Sequence, residues 1–170
     1  MTRAVLSVGS NLGDRLARLQ SVVDGLGEAA VAVSPVYETD PWGGVEQGPF
    51  LNAVVIADDS ACDGSGWLRR AQEFERRAGR TREQRWGPRT LDVDVIACQD
   101  GHAEVVSRDD DLTLPHPLAH VRAFVMIPWL AVEPDAALTL PQGRRRVAEL
   151  LAELDPAERA GVRMTRLALA

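Results

Sequence analysis

Lysine is absent from the chain, and cysteine and aromatic residues are scarce. All 19 positively charged residues among the 170 are arginines. Chemistry that needs an ammonium group is therefore excluded, including the Walker A lysine, the protein-kinase strand lysine and Schiff-base catalysis. The two cysteines make neither a disulfide framework nor a zinc site. If this protein handles phosphates, it must use arginine, backbone amides and metal ions.

The chain also lacks a long apolar run. The longest near-continuous one, Ala123–Val132, is about half the length of a membrane span and contains Pro128. No segment near the start combines basic residues, an apolar stretch and a small-residue cleavage site, as a secretory signal would. We therefore expect a single domain over residues 1–170 that is cytoplasmic and makes no membrane contact.

Arginine is concentrated in one stretch of an otherwise acidic chain. Residues 69–89 contain eight arginines and three glutamates, a net charge of about +5, whereas the whole chain carries −6. Such a local patch fits a small polyanion better than a nucleic acid, which usually meets a broadly basic surface. We therefore expect no nucleic-acid partner. The alternative explanation is a solvated helix face with salt bridges.

The spacing of apolar residues predicts a strand, a helix, two strands, a second helix and another strand. The predicted strands are Arg3–Gly9, Val31–Glu38 with a bend at Pro35, Phe50–Ala57, Leu91–Ala97 and a last one at Val162–Leu169. The predicted helices lie around Leu16–Leu26, Trp67–Ala78, Val121–Val132 with a kink near Pro128, and Val147–Leu154. The order βαββαβ favours an α+β protein, a ferredoxin-like α/β sandwich with a mostly antiparallel sheet.

Two predicted loops, residues 39–49 and 79–89, are long for so short a domain. Loops of this kind tend to carry function, so both are expected to be catalytic. Residues 99–111 are acidic and predict a mobile connection, and Arg144–Arg146 predicts a solvated turn.

Asp92 and Asp94 stand in a run of β-branched residues that favours a strand. Residues i and i+2 of a strand point to one face, so the two carboxylates project side by side while their apolar neighbours face the core. Paired carboxylates without histidine or thiolate neighbours suit Mg²⁺. The alternative is a plain salt bridge from Arg85 or Arg89, and the acid pair alone does not decide between the two.

The twelve residues Arg85–Ile96 (R-W-G-P-R-T-L-D-V-D-V-I) join an aromatic ring, a rigid turn, an arginine and the acid pair. This segment resembles the signature of the hydroxymethyl-dihydropterin pyrophosphokinase family. Further segments along most of the chain agree: Ser7–Asp14, Ser34–Thr39, Phe50–Val54, Leu114–Pro117 and Arg122–Phe124. The resemblance implies that ATP gives its β,γ-pyrophosphoryl group to the hydroxymethyl oxygen of the pterin in folate synthesis, and that AMP leaves.

The resemblance also implies roles for the charged residues in catalysis. Asp92 and Asp94 would hold two Mg²⁺ ions that bridge the triphosphate and the attacking hydroxyl. Arg80 and Arg82 would close over the phosphates, and Arg89 would hold them from the strand side. The planar guanidinium suits this work because it meets phosphate oxygens in pairs.

Nucleotide contacts are implied for Glu75, Arg82, Trp86, Arg89, Thr113, His116 and Arg122. Two of these residues have ordinary alternatives, a salt bridge to Arg82 for Glu75 and a structural or exposed position for His116. Asp111 stands where some family members have an arginine.

Pterin contacts are implied for Gly9, Thr39, Pro41, Trp42, Phe50, Asn52 and Phe124. Phe50 and Asn52 are i and i+2 on a predicted strand, so an aromatic face and an amide share one surface. A flat ring with an amide-like edge needs a surface to stack on and a group that both donates and accepts. The alternative for Phe50 and Phe124 is ordinary core packing.

Two other functions share parts of this pattern. A Mg²⁺-dependent phosphoryl or nucleotidyl transferase would keep the acid pair and the arginines but use another acceptor. A ferredoxin-like module that binds a small ligand without catalysis would not need the acid pair. We expect the pyrophosphokinase, acting as a monomer on small-molecule substrates.

Overall fold

A computed structural model describes residues 2–41, 46–79 and 90–170 of the chain. Five residues with implied site roles lie outside these ranges: Trp42, Arg80, Arg82, Trp86 and Arg89. Much of the two predicted catalytic loops lies outside them as well. No helix within the described ranges is long and apolar enough to cross a membrane.

Eleven strands, five α-helices and two short 3-10 helices, Gly27–Ala29 and Ala119–Val121, form within the described ranges. The strands are β1 (Thr2–Ser10), β2 (Ala30–Val33), β3 (Tyr37–Thr39), β4 (Phe50–Asp59), β5 (Asp92–Asp100), β6 (Ala103–Glu104), β7 (Ser107–Arg108), β8 (Thr113–Leu114), β9 (Ala137–Leu140), β10 (Gly143–Arg146) and β11 (Val162–Met164). The helices are α1 (Arg15–Leu26), α2 (Gly64–Arg77), α3 (Ala123–Val132), α4 (Val147–Ala152) and α5 (Pro156–Ala160).

The main sheet has the order β11-β3-β4-β1-β5-β6, and β2 pairs with β4 beside β3. Every strand pair within it is antiparallel. Along the chain the first elements are β1, α1, β2, β3, β4, α2 and β5. This is the predicted order βαββαβ when β2 and β3 are counted as the one bent strand expected at Val31–Glu38, and β1 lies in the centre of the sheet. The predicted ferredoxin-like α+β architecture is confirmed.

The sheet is covered on both faces, because alternate residues of its central strands pack in opposite directions. Leu6 and Val8 of β1 pack with α1 and α2 in one apolar core. Val5 of β1 and Ile56 of β4 pack with Trp129 of α3 in the other. Helix α3 therefore covers one face of the sheet, and Val54 and Ile56 of β4 and Ile96 of β5 point to that face.

Local sequence explains several element ends. The side chains of Asp14 and Asp63 accept hydrogen bonds from the first turns of α1 and α2, as N-cap residues do. The predicted bend at Pro35 separates β2 from β3, because proline has no N–H for the ladder. Pro128 lies inside α3, and the kink expected there stays a prediction.

Two predictions for the second half of the chain are wrong, and a third holds only at its start. Arg144–Arg146 belong to β10, which pairs with β9 and gives alternating exposure instead of a turn. The acidic connection at residues 99–111 contains paired strands, and its Glu104 carboxylate accepts hydrogen bonds from the Thr139 N–H at 3.1 Å and the Thr139 hydroxyl at 3.2 Å. The last strand ends at Met164, well before Leu169.

Candidate active site

Three central strands bring polar side chains together where β1 ends and where β4 and β5 begin. Gly9 of β1 pairs with Asn52 of β4 on one side and with Asp92 of β5 on the other. Ser7 pairs with Asp94 two residues further along β5. Residues opposite each other in an antiparallel ladder share one face of the sheet. The amide and the acid pair therefore lie on the same face, which is the face that α3 covers.

The Asn52 side chain is held in one orientation. Its Oδ1 accepts a hydrogen bond from the Thr39 hydroxyl at 2.5 Å, and its Nδ2 donates to the Val8 carbonyl at 3.3 Å. The residue is only 4% exposed. The two bonds fix which end of the amide carries the oxygen and which carries the nitrogen. The direction of the remaining acceptor and donor positions is therefore fixed as well.

Gly9 makes room for this amide. A Cβ atom at position 9 would lie 2.4 Å from Asn52 Nδ2. That distance is far below a normal contact between carbon and nitrogen atoms, so any side chain here would displace Asn52. The predicted pterin contacts Gly9 and Asn52 are thus adjacent, and Gly9 acts on the amide by leaving space for it.

Three further residues with predicted pterin contacts line a small cavity, and a fourth, Phe50, lies next to one of them. The cavity has a volume of about 80 Å³, and Thr39, Pro41 and Phe124 line it together with residues of α5 and β11. Phe50 pairs with Thr39 across β3 and β4 and is half-buried. Phe124, in the first turn of α3, is also half-buried. Neither ring is fully enclosed in a core, so each retains exposed surface.

The acid pair projects from β5 as the alternation predicted. Asp92 and Asp94 are half-buried, whereas Leu91, Val93 and Val95 are buried. The predicted alternative partners Arg85 and Arg89 lie outside the described residues.

Arg122 lies between the acid pair and the ring of Phe124. Its Nη1 atom is 3.8 Å from Asp94 Oδ2, and its guanidinium carbon is 5.4 Å from the centroid of the Phe124 ring. Burial lowers the pKa of Arg122, and the charges of Asp94, Asp92 and Glu158 oppose that change. Arginine remains protonated under such conditions, so this is a buried cation held by carboxylates. The pairing of Arg122 with Asp94 could not be predicted from the sequence, because the two residues are far apart along the chain.

The Glu75 side chain contacts the backbone at the outer edge of β5. Its Oε2 atom accepts a hydrogen bond from the backbone N–H of Val93 at 3.0 Å, between the two acids. The residue is 7% exposed, although it lies on α2 on the opposite side of the sheet from α3. The predicted alternative, a salt bridge to Arg82, involves a residue outside the described ranges.

A cleft of about 310 Å³ runs along this edge of β5. Its lining includes Glu75, Asp94, Asp111, Thr113 and His116. The structure therefore brings three residues with predicted nucleotide contacts, Glu75, Thr113 and His116, to one cleft beside the acid pair. Arg122 meets the same acid pair from the α3 side.

His116 is neutral at physiological pH. Burial, and secondarily the charge of Arg122, lowers its pKa to about 4. Its Nδ1 atom accepts a hydrogen bond from the Leu118 N–H at 3.1 Å, so the ring proton resides on Nε2. The backbone N–H of His116 also donates to the Ile96 carbonyl at 2.8 Å, which fixes the residue against β5.

The acid pair has the donor chemistry of a substrate-bridged Mg²⁺ site. Within the described residues there is no cluster of three or more histidine, cysteine, aspartate and glutamate side chains. Mg²⁺ binds through one or two carboxylates and completes its octahedral shell with water and substrate phosphates. Asp92 and Asp94 fit that pattern, and they do not fit a closed all-protein metal cage.

Comparison with known proteins shows the family of the chain. Residues 5–134 match the family model described as 7,8-dihydro-6-hydroxymethylpterin-pyrophosphokinase (HPPK). The chain belongs to this family. It is therefore a pyrophosphokinase that transfers pyrophosphate to hydroxymethyldihydropterin in folate biosynthesis, with ATP as co-substrate. The predicted family and reaction are confirmed.

Several relatives named 2-amino-4-hydroxy-6-hydroxymethyldihydropteridine pyrophosphokinase resemble this pyrophosphokinase over most of their length. The chain is 67% identical to that of Mycobacterium tuberculosis strain H37Rv, with 98% of this chain and 91% of the relative covered. It is 64% identical to that of Mycobacterium leprae, with 99% and 92% covered. It is 42% identical to that of Methylorubrum extorquens, with 92% and 96% covered.

Two solved structures share the fold of this pyrophosphokinase. One, an HPPK-DHPS in complex with substrates, has a TM-score of 0.62 at 11% identity and covers 89% of this chain. The other, HPPK-DHPS from Plasmodium falciparum with SDX-DHP, has a TM-score of 0.60 at 13% identity and covers 90%. The chain spans 43% of each of those two chains, so the comparison shows the fold alone.

Proposed function

We propose that the chain catalyses Mg²⁺-dependent transfer of the intact β,γ-pyrophosphoryl group of ATP to 6-hydroxymethyl-7,8-dihydropterin. The hydroxymethyl oxygen forms a bond to the β-phosphorus, and the bond from that phosphorus to the oxygen bridging it to the α-phosphate breaks. AMP leaves with the bridging oxygen, and the hydroxyl proton is released. The observation that carries the proposal is the register that pairs Gly9 with both Asn52 and Asp92. It supports an acceptor site directly beside a metal-binding acid pair.

Asp92 and Asp94 are the proposed ligands of two Mg²⁺ ions. When bound, the ions would neutralise the triphosphate and lower the pKa of the attacking hydroxyl. Arg122, beside Asp94, adds a fixed positive charge at the same place. Because the transferred group is highly anionic, alignment and charge neutralisation supply most of the catalysis.

The proposed pterin site is built on Asn52. Its oriented amide donates to and accepts from the edge of the pterin, and Thr39 and Gly9 keep that orientation available. Phe50 and Phe124 stack on the two faces of the ring. Pro41 and, outside the described residues, Trp42 line the loop side of the site.

The proposed nucleotide site occupies the cleft along β5. Glu75, Thr113 and His116 contribute from its walls. His116 offers Nε2–H as a neutral donor, since its Nδ1 atom is already an acceptor. Arg122 contacts the phosphates from the α3 side. The proposal also includes four residues outside the described ranges: Arg80, Arg82, Trp86 and Arg89.

We propose that the active species is a monomer and that the chain forms one domain in the cytoplasm. ATP binds before the pterin. Tight binding of a pterin analogue without nucleotide would show that this order is wrong.

The nucleotide that forms from ATP, either AMP or ADP, tests the proposed reaction. The chain is incubated with ATP, Mg²⁺ and hydroxymethyldihydropterin, and AMP is separated from ADP by chromatography. AMP that forms only when pterin and Mg²⁺ are both present is the expected result. ADP would indicate transfer of a single phosphoryl group, and neither nucleotide from a folded protein would indicate a binding module.

A further inference from the structure

The C-terminal segment at residues 155–164 lies outside the part of the chain that the family model matches, yet it adjoins the site. Its strand β11 pairs with β3, opposite the strand that carries Asn52. The Asp40 N–H donates to the Gly161 carbonyl at 2.9 Å, and Arg163 bonds the Asp40 carboxylate at 3.0 Å. The segment is therefore fastened to the strand that leads into the pterin side of the site.

Glu158 of α5 is the acidic residue of this segment that faces the site. The residue lines the small cavity together with Thr39 and Phe124. Its Oε1 atom accepts a hydrogen bond from the Ala123 N–H at 3.4 Å. That N–H belongs to the first turn of α3, where the N-cap residue Arg122 supplies no side-chain bond. Glu158 thus caps α3 from another element, next to the backbone of Arg122.

Arg122 needs negative charge around it to keep its position. Its side chain is 9% exposed, and a buried guanidinium is stable only when carboxylates compensate it. Asp94 lies on the β5 side of the guanidinium at 3.8 Å. Glu158 comes from α5, a different element, and its bond to the Ala123 N–H holds its carboxylate next to the backbone of Arg122. Its charge acts on Arg122 in the same direction as those of Asp94 and Asp92.

We propose that Glu158 is a positioning residue that holds Arg122 between the acid pair and the ring of Phe124. Mg²⁺ held by Asp92 and Asp94 would compete with Arg122 for these carboxylates and weaken their attraction for it. Glu158 belongs to α5 and is not one of the proposed ligands, so its charge would keep the guanidinium in place. The inference rests on the proposed function, since it assigns Arg122 to the phosphates.

A double-mutant cycle tests this role. Glu158→Gln keeps an oxygen acceptor for the Ala123 N–H and removes only the charge. We expect it to lower kcat/KM about tenfold in the native background and to change it less than twofold in an Arg122→Met background. Equal loss in both backgrounds would overturn the proposal, because a structural effect of Glu158 would not depend on Arg122. Unchanged kcat/KM in Glu158→Gln would overturn it too.

Glu149→Gln is the matched control for the loss of one negative charge. Glu149 lies on α4 in an exposed pair with Arg145, away from the site. We expect its kinetics to equal those of the native chain. Circular dichroism at the assay temperature shows that each variant is folded, and Glu158→Ala separates the helix cap from the charge.

Urea unfolding tests the contact without any assay of turnover. The four proteins compared are the native chain, Glu158→Gln, Arg122→Met and the variant that carries both changes. Glu158→Gln is expected to lower the unfolding midpoint in the native background and to leave it unchanged in the Arg122→Met background. If the native chain releases no AMP, the proposed function fails while this coupling is still measured. If AMP forms but no coupling appears in urea, the positioning role fails alone.

Discussion

At the residue scale, three features of the site follow from the surroundings of single side chains: the orientation of an amide, the space beside it and the protonation state of a histidine. Asn52 is oriented by two hydrogen bonds, and Gly9 leaves the space that the amide occupies. His116 is kept neutral by burial. Each of these features gives a measurable consequence for one substitution.

Gly9→Ala is expected to weaken pterin binding and to destabilise the fold by about 1–3 kcal/mol, as overpacking does. The added methyl would lie 2.4 Å from Asn52 Nδ2, so the amide must leave its place. Chemical denaturation and the KM for pterin measure the two effects. In an Asn52→Ala background the clashing atoms are gone, and Gly9→Ala should then destabilise far less. The same large loss in both backgrounds would contradict this explanation.

His116 is expected to make stability depend on pH. Its pKa is about 4 in the folded state, below the ordinary value of 6.5, so the unfolded chain binds more protons between these values. The free energy of unfolding should therefore fall as the pH drops from 6.5 to 4, with up to about 3 kcal/mol from this residue. Above pH 6.5 both states are neutral, and the contribution is constant.

Urea unfolding between pH 4 and pH 8 measures this effect as a difference between variants. His116→Asn should show a shallower fall in stability over the acidic range than the native chain. His102→Asn, at an exposed turn position after β5, should keep the native pH dependence. Parallel curves for His116→Asn and the native chain would contradict the prediction.

At the element scale, the strands and helices of the first hundred residues follow from local periodicity. The strand β5 and the alternation around Asp92 and Asp94 were predictable because β-branched residues and a period of two coincide there. The hairpin of β9 and β10 was not, because three consecutive arginines hide the alternation that its pairing imposes. The approach of α2 to the edge of β5 is also invisible locally, since Glu75 and Val93 are far apart in sequence.

Glu75→Ala is expected to lower the free energy of unfolding by about 1–3 kcal/mol, because it leaves the buried Val93 N–H without this acceptor. Glu75→Gln retains an oxygen acceptor and should lose much less. Glu73→Ala on the same helix removes a surface carboxylate that pairs with Arg76 and Arg77, and surface pairs of this kind contribute little. If denaturation curves show that Glu73→Ala lowers the free energy of unfolding more than Glu75→Ala does, the contact between Glu75 and the edge of β5 is unimportant.

At the scale of the whole molecule, the site assembles from segments that are distant in sequence. The resemblance implies which side chains would serve each substrate, and the described ones lie around the same end of the sheet. The pairing of Arg122 with Asp94 and the contribution of Glu158 were not predictable, because both depend on how α3 and α5 pack against the sheet. The central claim is that the acid pair of β5 is the metal-binding part of this assembly.

AMP release by Asp94→Ala tests that claim most directly. The matched control is Asp100→Ala, which makes the same change at the opposite end of the same strand. Both variants are compared with the native chain at saturating ATP and pterin over a range of Mg²⁺ concentrations, after circular dichroism shows native folding. We predict that Asp94→Ala loses AMP release at every Mg²⁺ concentration while Asp100→Ala keeps it. A folded Asp94→Ala variant that releases AMP at the native rate would contradict the assignment of the acid pair.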